Sequence, residues 1–164
     1  MVVVVDEEKA ILELILQYIY TGTFEHGGGI HGDDDLDFSA LFRDKDFALP
    51  KGIMRLRKHV QLYKAATKYG IADLKACIQK LFDDSFAYVV LHEITSFTAD
   101  VSNMIEDIYS DAGITDLRDL MVSSIDRQLK KFEYGDSRDS FRWILEENPK
   151  LATDLVFKSM LRST

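Results

Sequence analysis

The feature that most constrains this chain is a pair of apolar segments at helical spacing, each of which contains a glycine that can stop a helix. The first covers residues 11–22 and the second covers residues 59–74. Glycine just after a helix readily adopts the left-handed backbone that other residues avoid, so Gly22 and Gly70 are predicted to end the two helices. Neither segment carries a set of catalytic side chains. The pattern therefore favours a surface that binds other proteins over a pocket for chemistry.

The remaining sequence predicts a mainly α-helical fold with one or two short strands near the N-terminus. Residues 2–5 are four consecutive valines, a β-branched run typical of a strand. From about residue 54 onward, apolar residues recur at helical spacing. The periodicity of residues 86–97 leaves strand and helix both open, and we favour helix. Pro149 predicts the start of the last helix, because proline at the first helical position sacrifices no hydrogen bond.

Composition argues against several classes of protein. The net charge of −8 lacks the basic excess expected of a nucleic-acid-binding surface, and the basic run at 51–58 is interpreted as a solvated helix start. No apolar stretch approaches the roughly 20 residues that span a membrane. The single cysteine, Cys77, cannot form an internal disulfide. It fits a reducing compartment, so we expect an intracellular protein and leave cytoplasm and nucleus both open.

Residues 23–52 differ from the rest in being rich in glycine and acidic side chains, a composition that predicts a flexible loop. His26, His31 and the carboxylates of 33–37 are the right ligand types for a metal ion. His26 and the three glycines after it are also similar to an oxyanion-hole loop, although the chain lacks the GxSxG elbow that such hydrolases need. A small hydrolase or metal-dependent enzyme that uses the loop from His26 to Asp37 is therefore the alternative. The favoured expectation is a non-enzyme with no catalytic, cofactor-binding or metal-binding residues.

Two motifs, read in order, resemble the second half of a BTB/POZ domain. The residues that carry the resemblance are Tyr18, Tyr20, Thr21, Gly22, Tyr63, Ala66, Tyr69, Gly70 and Leu74. The resemblance implies a partial BTB/POZ α+β module over residues 1–85, with a loop at 23–52, that lacks a counterpart of the family's N-terminal half. Residues 86–164 then form a helical extension similar to that of fungal members.

The same resemblance implies a function. BTB/POZ domains are non-catalytic interaction modules, so we expect protein partners, namely a second copy of the chain and a cullin scaffold to which a substrate for ubiquitin ligation is bridged. Direct contact with nucleic acid, membranes or small-molecule substrates is not expected. The partner-binding residues are expected at the second motif and are Lys68, Tyr69, Ile71 and Asp73. The first helix is expected at the centre of the domain, with the rings of Tyr18, Tyr20, Tyr63 and Tyr69 buried.

Overall fold

The protein is mainly α-helical, as its sequence predicts. The computed structural model describes residues 9–21, 51–132 and 136–162, and every regular element within these ranges is a helix. The predicted strand at residues 2–5 and most of the predicted loop at 23–52 lie outside the described residues. The longer helices are α1 (Lys9–Thr21), α2 (Lys51–Lys68), α3 (Ala72–His92), α4 (Thr98–Ser110), α5 (Thr115–Gln128), α6 (Asp136–Glu147) and α7 (Pro149–Arg162). Short 3₁₀ turns at Ala112–Ile114 and Leu129–Phe132 flank α5.

The chain divides into two compact units, Met1–Leu49 and Pro50–Thr164. The described part of the first unit is α1. Its side chains at Ile11, Leu14 and Ile15 are buried, whereas Ile19 and Tyr20 are exposed. The expectation that the first helix lies at the centre of the domain is therefore wrong, because α1 buries one stripe only and exposes other apolar side chains.

The second unit is built on a hairpin of α2 and α3, which are joined by a turn of three residues and pack along each other. α3 continues without a break to His92, so the helical interpretation of residues 86–97 is confirmed up to that point. The predicted boundary between residues 85 and 86 falls inside this helix. Residues 93–96 form a turn after α3, and Phe97 then precedes the first residue of α4.

The remaining helices of this unit pack around the hairpin and each other. α5 packs against α3 and α7, and α4 packs against α6. The interior is aliphatic and aromatic, and its largest fully buried side chains include Ile53, Leu56, Tyr63, Leu74, Ile78, Phe82, Phe86, Met104, Ile105, Ile108 and Ile114. Each such side chain contributes about 1.5–3 kcal/mol through removal of apolar surface from water. Burial of apolar side chains, rather than hydrogen bonding between polar ones, therefore stabilises most of the packing between these helices.

The junction between α6 and α7 follows the sequence prediction, since α7 begins at Pro149. Asn148 is the single residue between the two helices and is buried. Its side-chain nitrogen donates to the Ser102 hydroxyl at 2.7 Å and to the Ile144 carbonyl at 2.9 Å. This side chain therefore fastens the α6–α7 corner to α4. Among the described residues, the helices are all too short or too polar to cross a membrane.

Candidate interaction surface at the turn between α2 and α3

The turn between α2 and α3 has a backbone that only glycine adopts easily. Gly70 has a φ of +68°, its N–H donates to the Thr67 carbonyl at 3.3 Å, and the Ile71 N–H donates to the Ala66 carbonyl at 2.9 Å. These two bonds form a Schellman motif, in which the last carbonyls of a helix are satisfied by the two residues after its cap. The prediction that Gly70 ends the helix is confirmed. The two hydrogen bonds fix the path of the backbone through the turn.

This turn presents most of the predicted partner-binding residues to solvent. Lys68, Tyr69 and Asp73 are exposed, whereas Ile71 is half-buried. Tyr69 is 40% exposed, so the expectation that its ring would be buried is wrong. The Lys68 ammonium lies 5.6 Å from the centre of that ring, within the range of a cation–π contact. An aromatic ring, a cation and a carboxylate therefore share one short stretch of surface.

Tyr63, which lies further back along α2, is fully buried as expected, and its hydroxyl joins three helices. The Gln79 side-chain nitrogen donates to this hydroxyl at 3.0 Å, and the hydroxyl donates to Asp116 Oδ2 at 3.3 Å. Lys75 donates to the same carboxylate oxygen at 3.4 Å and also lies 5.1 Å from the centre of the Tyr63 ring. Burial raises the pKa of Tyr63, so the hydroxyl stays protonated and keeps its donor role. We call Tyr63, Lys75, Gln79 and Asp116 the tyrosine cluster.

Sequence reasoning identified Tyr63 but missed the other three members of the tyrosine cluster. Lys75 and Gln79 are four residues apart and so lie on one face of α3, which is a signal that could have grouped them. Asp116 is 53 residues away from Tyr63, and no local pattern links the two. The cluster holds the start of α5 against the α2–α3 hairpin.

The other motif residues are divided between the core and the surface. Ala66 and Leu74 are fully buried on either side of the turn. In α1, Tyr18 is half-buried and Tyr20 is 85% exposed, so the expectation of a buried Tyr20 ring is wrong. Thr21 is the last residue of α1, and Gly22 lies outside the described residues.

A shallow groove of about 370 Å³ lies between α3 and α5, next to the tyrosine cluster. Its lining residues are Gln79, Lys80, Asp83, Asp116, Asp119, Leu120 and Ser123. All three of its carboxylates are paired with cations, and that of Asp119 lies 3.8 Å from Arg118 Nε. Arg127 donates to both oxygens of Asp83 at 2.6 and 2.8 Å, and Lys75 is bound to Asp116. The groove therefore offers paired charges to an approaching molecule and does not concentrate negative charge.

The residues of the alternative enzymatic interpretation, from His26 to Asp37, lie outside the described residues. Within the three described ranges, no three histidine, cysteine, aspartate or glutamate side chains come close enough to share a metal ion. Cys77 is half-buried, and burial raises the pKa of its thiol, which therefore stays protonated at neutral pH.

Comparison with known proteins adds no family assignment. No family model, no curated protein and no solved structure matches this chain.

Proposed function

We propose that this protein is a non-catalytic protein–protein interaction module that binds a partner through the turn between α2 and α3. The observation that carries the proposal is the exposed Tyr69 ring, with Lys68 against its face and Asp73 exposed on the next helix. Tyrosine is enriched among the residues that dominate binding energy, since it combines a large apolar area with a polar tip. Charged side chains of both signs beside such a ring add orientation to affinity.

The rigidity of the turn supports this role. A flexible loop loses conformational freedom when it binds, and that loss subtracts from the affinity. The two Schellman hydrogen bonds at Gly70 and Ile71 restrict the backbone beside Tyr69 before any partner arrives. The tyrosine cluster further fastens the hairpin to α5. The Tyr69 ring is therefore presented on a support that has little conformational freedom left to lose.

The class of partner comes from the resemblance to BTB/POZ domains and not from the geometry. On that basis, the partners are a cullin scaffold, to which the protein bridges a substrate for ubiquitin ligation, and a second copy of the chain. Such a protein acts inside the cell. The resemblance involves Tyr63, Ala66, Tyr69, Gly70 and Leu74, which lie in or beside the proposed binding surface.

Titration calorimetry of the full chain with a purified cullin N-terminal domain tests the proposal. Tyr69→Ala removes the ring, and we expect it to weaken binding at least about 30-fold, the effect of losing an anchor worth about 2 kcal/mol. Tyr88→Ala is the matched control. Tyr88 is 52% exposed, and it lies about 24 Å from the start of α3 at 1.5 Å per residue.

A second variant tests the contribution of the Asp73 charge to binding separately from that of the Tyr69 ring. Asp73→Lys reverses one charge on the exposed first turn of α3 and leaves Tyr69 in place, so we expect weaker binding with a changed salt dependence. Circular dichroism establishes that each variant is folded. A folded wild-type chain that forms no complex at 100 µM cullin domain, or an equal loss of affinity for Tyr69→Ala and Tyr88→Ala, would contradict the proposal.

A further inference from the structure

The last helix, α7, is apolar on two opposite faces. Leu151 and Leu155 are buried, and α7 packs through its inner side against α5 and α6. On the opposite side, Val156, Phe157, Met160 and Leu161 are exposed by 60%, 62%, 62% and 78%. We call these four residues the outer stripe. A helix that is apolar on both faces is typical of one covered on both sides, whereas an ordinary surface helix carries polar residues outward.

Two charged side chains of α7, those of Asp154 and Lys158, reach inward. Asp154 accepts a hydrogen bond from the Tyr109 hydroxyl of α4 at 2.7 Å. Lys158 donates to the Ser123 hydroxyl of α5 at 2.6 Å. Both side chains are therefore held against neighbouring helices of the same unit. The outer stripe itself contains no charged residue.

The size of the outer stripe suits a small two-fold interface. Four side chains at these exposures present roughly 500 Å² of surface, near the upper end of the range for the largest apolar patch on a monomer. Two copies that cover each other would bury about 1,000 Å² in total, which is about the minimum for a specific interface. Exposure of this apolar area to water costs roughly 25 cal/mol per Å² relative to its burial.

The pattern of the outer stripe is also self-complementary. Val156 and Met160 form one row with an i, i+4 spacing, and Phe157 and Leu161 form the adjacent row. Such rows are ridges, and a ridge of one helix packs into the groove between the corresponding ridges of another at an angle of about −50°. A two-fold axis requires a patch that fits itself without opposing like charges. An uncharged pair of parallel ridges meets that requirement.

We propose that the outer stripe of α7 is the interface between two copies of this chain, related by a two-fold axis. The inference rests on the self-association included in the proposed function and assigns it to named residues. The net charge of −8 opposes the pairing, so salt should strengthen it by shortening the screening length from about 10 Å at 0.1 M to about 3 Å at 1 M. Binding of α7 to an oppositely charged partner would show the reverse dependence.

Sedimentation equilibrium of the full chain between 1 and 200 µM tests the proposal. We expect a monomer–dimer equilibrium for the wild-type chain. Phe157→Glu and, separately, Leu161→Glu place a carboxylate in the contact, and we expect each to weaken dimerisation at least 100-fold. The control is Leu91→Glu, which makes the same kind of change at an exposed apolar residue of α3 and should leave the dimer unchanged. Circular dichroism melting verifies that all four proteins are folded.

The outcomes separate this inference from the proposed function. A chain that is monomeric at every concentration, or a dimer unaffected by both glutamate variants, would overturn the α7 interface. Retained cullin-domain binding in that case would leave the role of the α2–α3 turn intact. Conversely, a wild-type dimer lost in the α7 variants supports the interface even if no cullin domain binds. Dimerisation that weakens as salt rises would also overturn the apolar pairing.

Discussion

The Tyr109 hydroxyl donates a 2.7 Å hydrogen bond to Asp154 Oδ2, which joins α4 to α7 across 45 residues of sequence. Arg118 stands over the same ring at 5.6 Å from its centre, and its Nε lies 3.9 Å from the same carboxylate oxygen. The arrangement repeats the chemistry of the tyrosine cluster, where a tyrosine hydroxyl, an aspartate and a cation also meet. Both sets stabilise contacts between helices that are distant in sequence.

Removal of the Tyr109 hydroxyl should destabilise the protein modestly. Burial raises the pKa of Tyr109, so the hydroxyl stays protonated at neutral pH and remains a donor to Asp154. We expect Tyr109→Phe to lower the free energy of unfolding by about 1–2 kcal/mol, because the bond is to a charged acceptor. Chemical denaturation measures the effect, and Tyr88→Phe, at an exposed ring, should change it by less than about 0.5 kcal/mol. Equal stability of the two variants would show that the Tyr109–Asp154 bond makes no net contribution.

The buried His59 should make stability depend on pH. Burial, with the nearby Arg55 as a second cause, lowers the pKa of His59 from 6.5 to about 4. Between these values the unfolded chain binds a proton that the folded protein does not, so the free energy of unfolding falls as pH falls through this window. The linkage amounts to a loss of about 2 kcal/mol between pH 7 and pH 5.

Urea denaturation at several pH values measures this dependence. His59→Gln keeps a polar side chain of similar size and should flatten the slope between pH 7 and pH 5. His92→Gln replaces an exposed histidine and should leave the slope as in the wild-type protein. An unchanged slope in His59→Gln would show that His59 is not the titrating group.

The corner at Asn148 should be sensitive to substitution. Asn148→Ala removes two hydrogen bonds and leaves the buried Ser102 hydroxyl and the Ile144 carbonyl without this partner. We expect a loss of about 2–3 kcal/mol, which lowers Tm by several degrees for a chain of this size. Asn103→Ala, at an exposed position of α4, is the matched control in thermal melts. Similar melting temperatures for the two alanine variants would contradict the assignment.

Substitution of Gly70 tests the backbone of the candidate surface. A Cβ atom at this position would meet no atom within 4 Å, so any cost of Gly70→Ala comes from the φ of +68° and not from a clash. We expect Gly70→Ala to destabilise the protein by about 1–2 kcal/mol and Gly70→Asn by less, since asparagine tolerates the left-handed region better. Equal losses for the two variants in denaturation experiments would argue against a purely conformational cost.

Local patterns predicted the features that depend on a few neighbouring residues. Gly70 ends its helix because a left-handed residue there completes the Schellman bonds, and Pro149 begins α7 because its missing N–H is not needed at that position. The helical nature of most segments also followed from apolar spacing, including residues 86–92 of the segment 86–97. These predictions succeeded because the interactions involved lie within about five residues of each other.

The tertiary structure decided which apolar and polar side chains meet. Both α1 and α7 have more apolar residues than one buried face holds, but only packing determined that Tyr20 and Phe157 would be exposed while Leu14 and Leu155 are buried. Likewise, nothing near Tyr63 in the sequence pointed to Asp116 as its acceptor. Periodicity is a property of one segment, whereas burial and long-range hydrogen bonds depend on which other segments arrive beside it. The sequence by itself therefore determined the helical character of the described segments, the end of α2 before Gly70 and the start of α7 at Pro149. The association of the helices determined the tyrosine cluster and the outer stripe of α7.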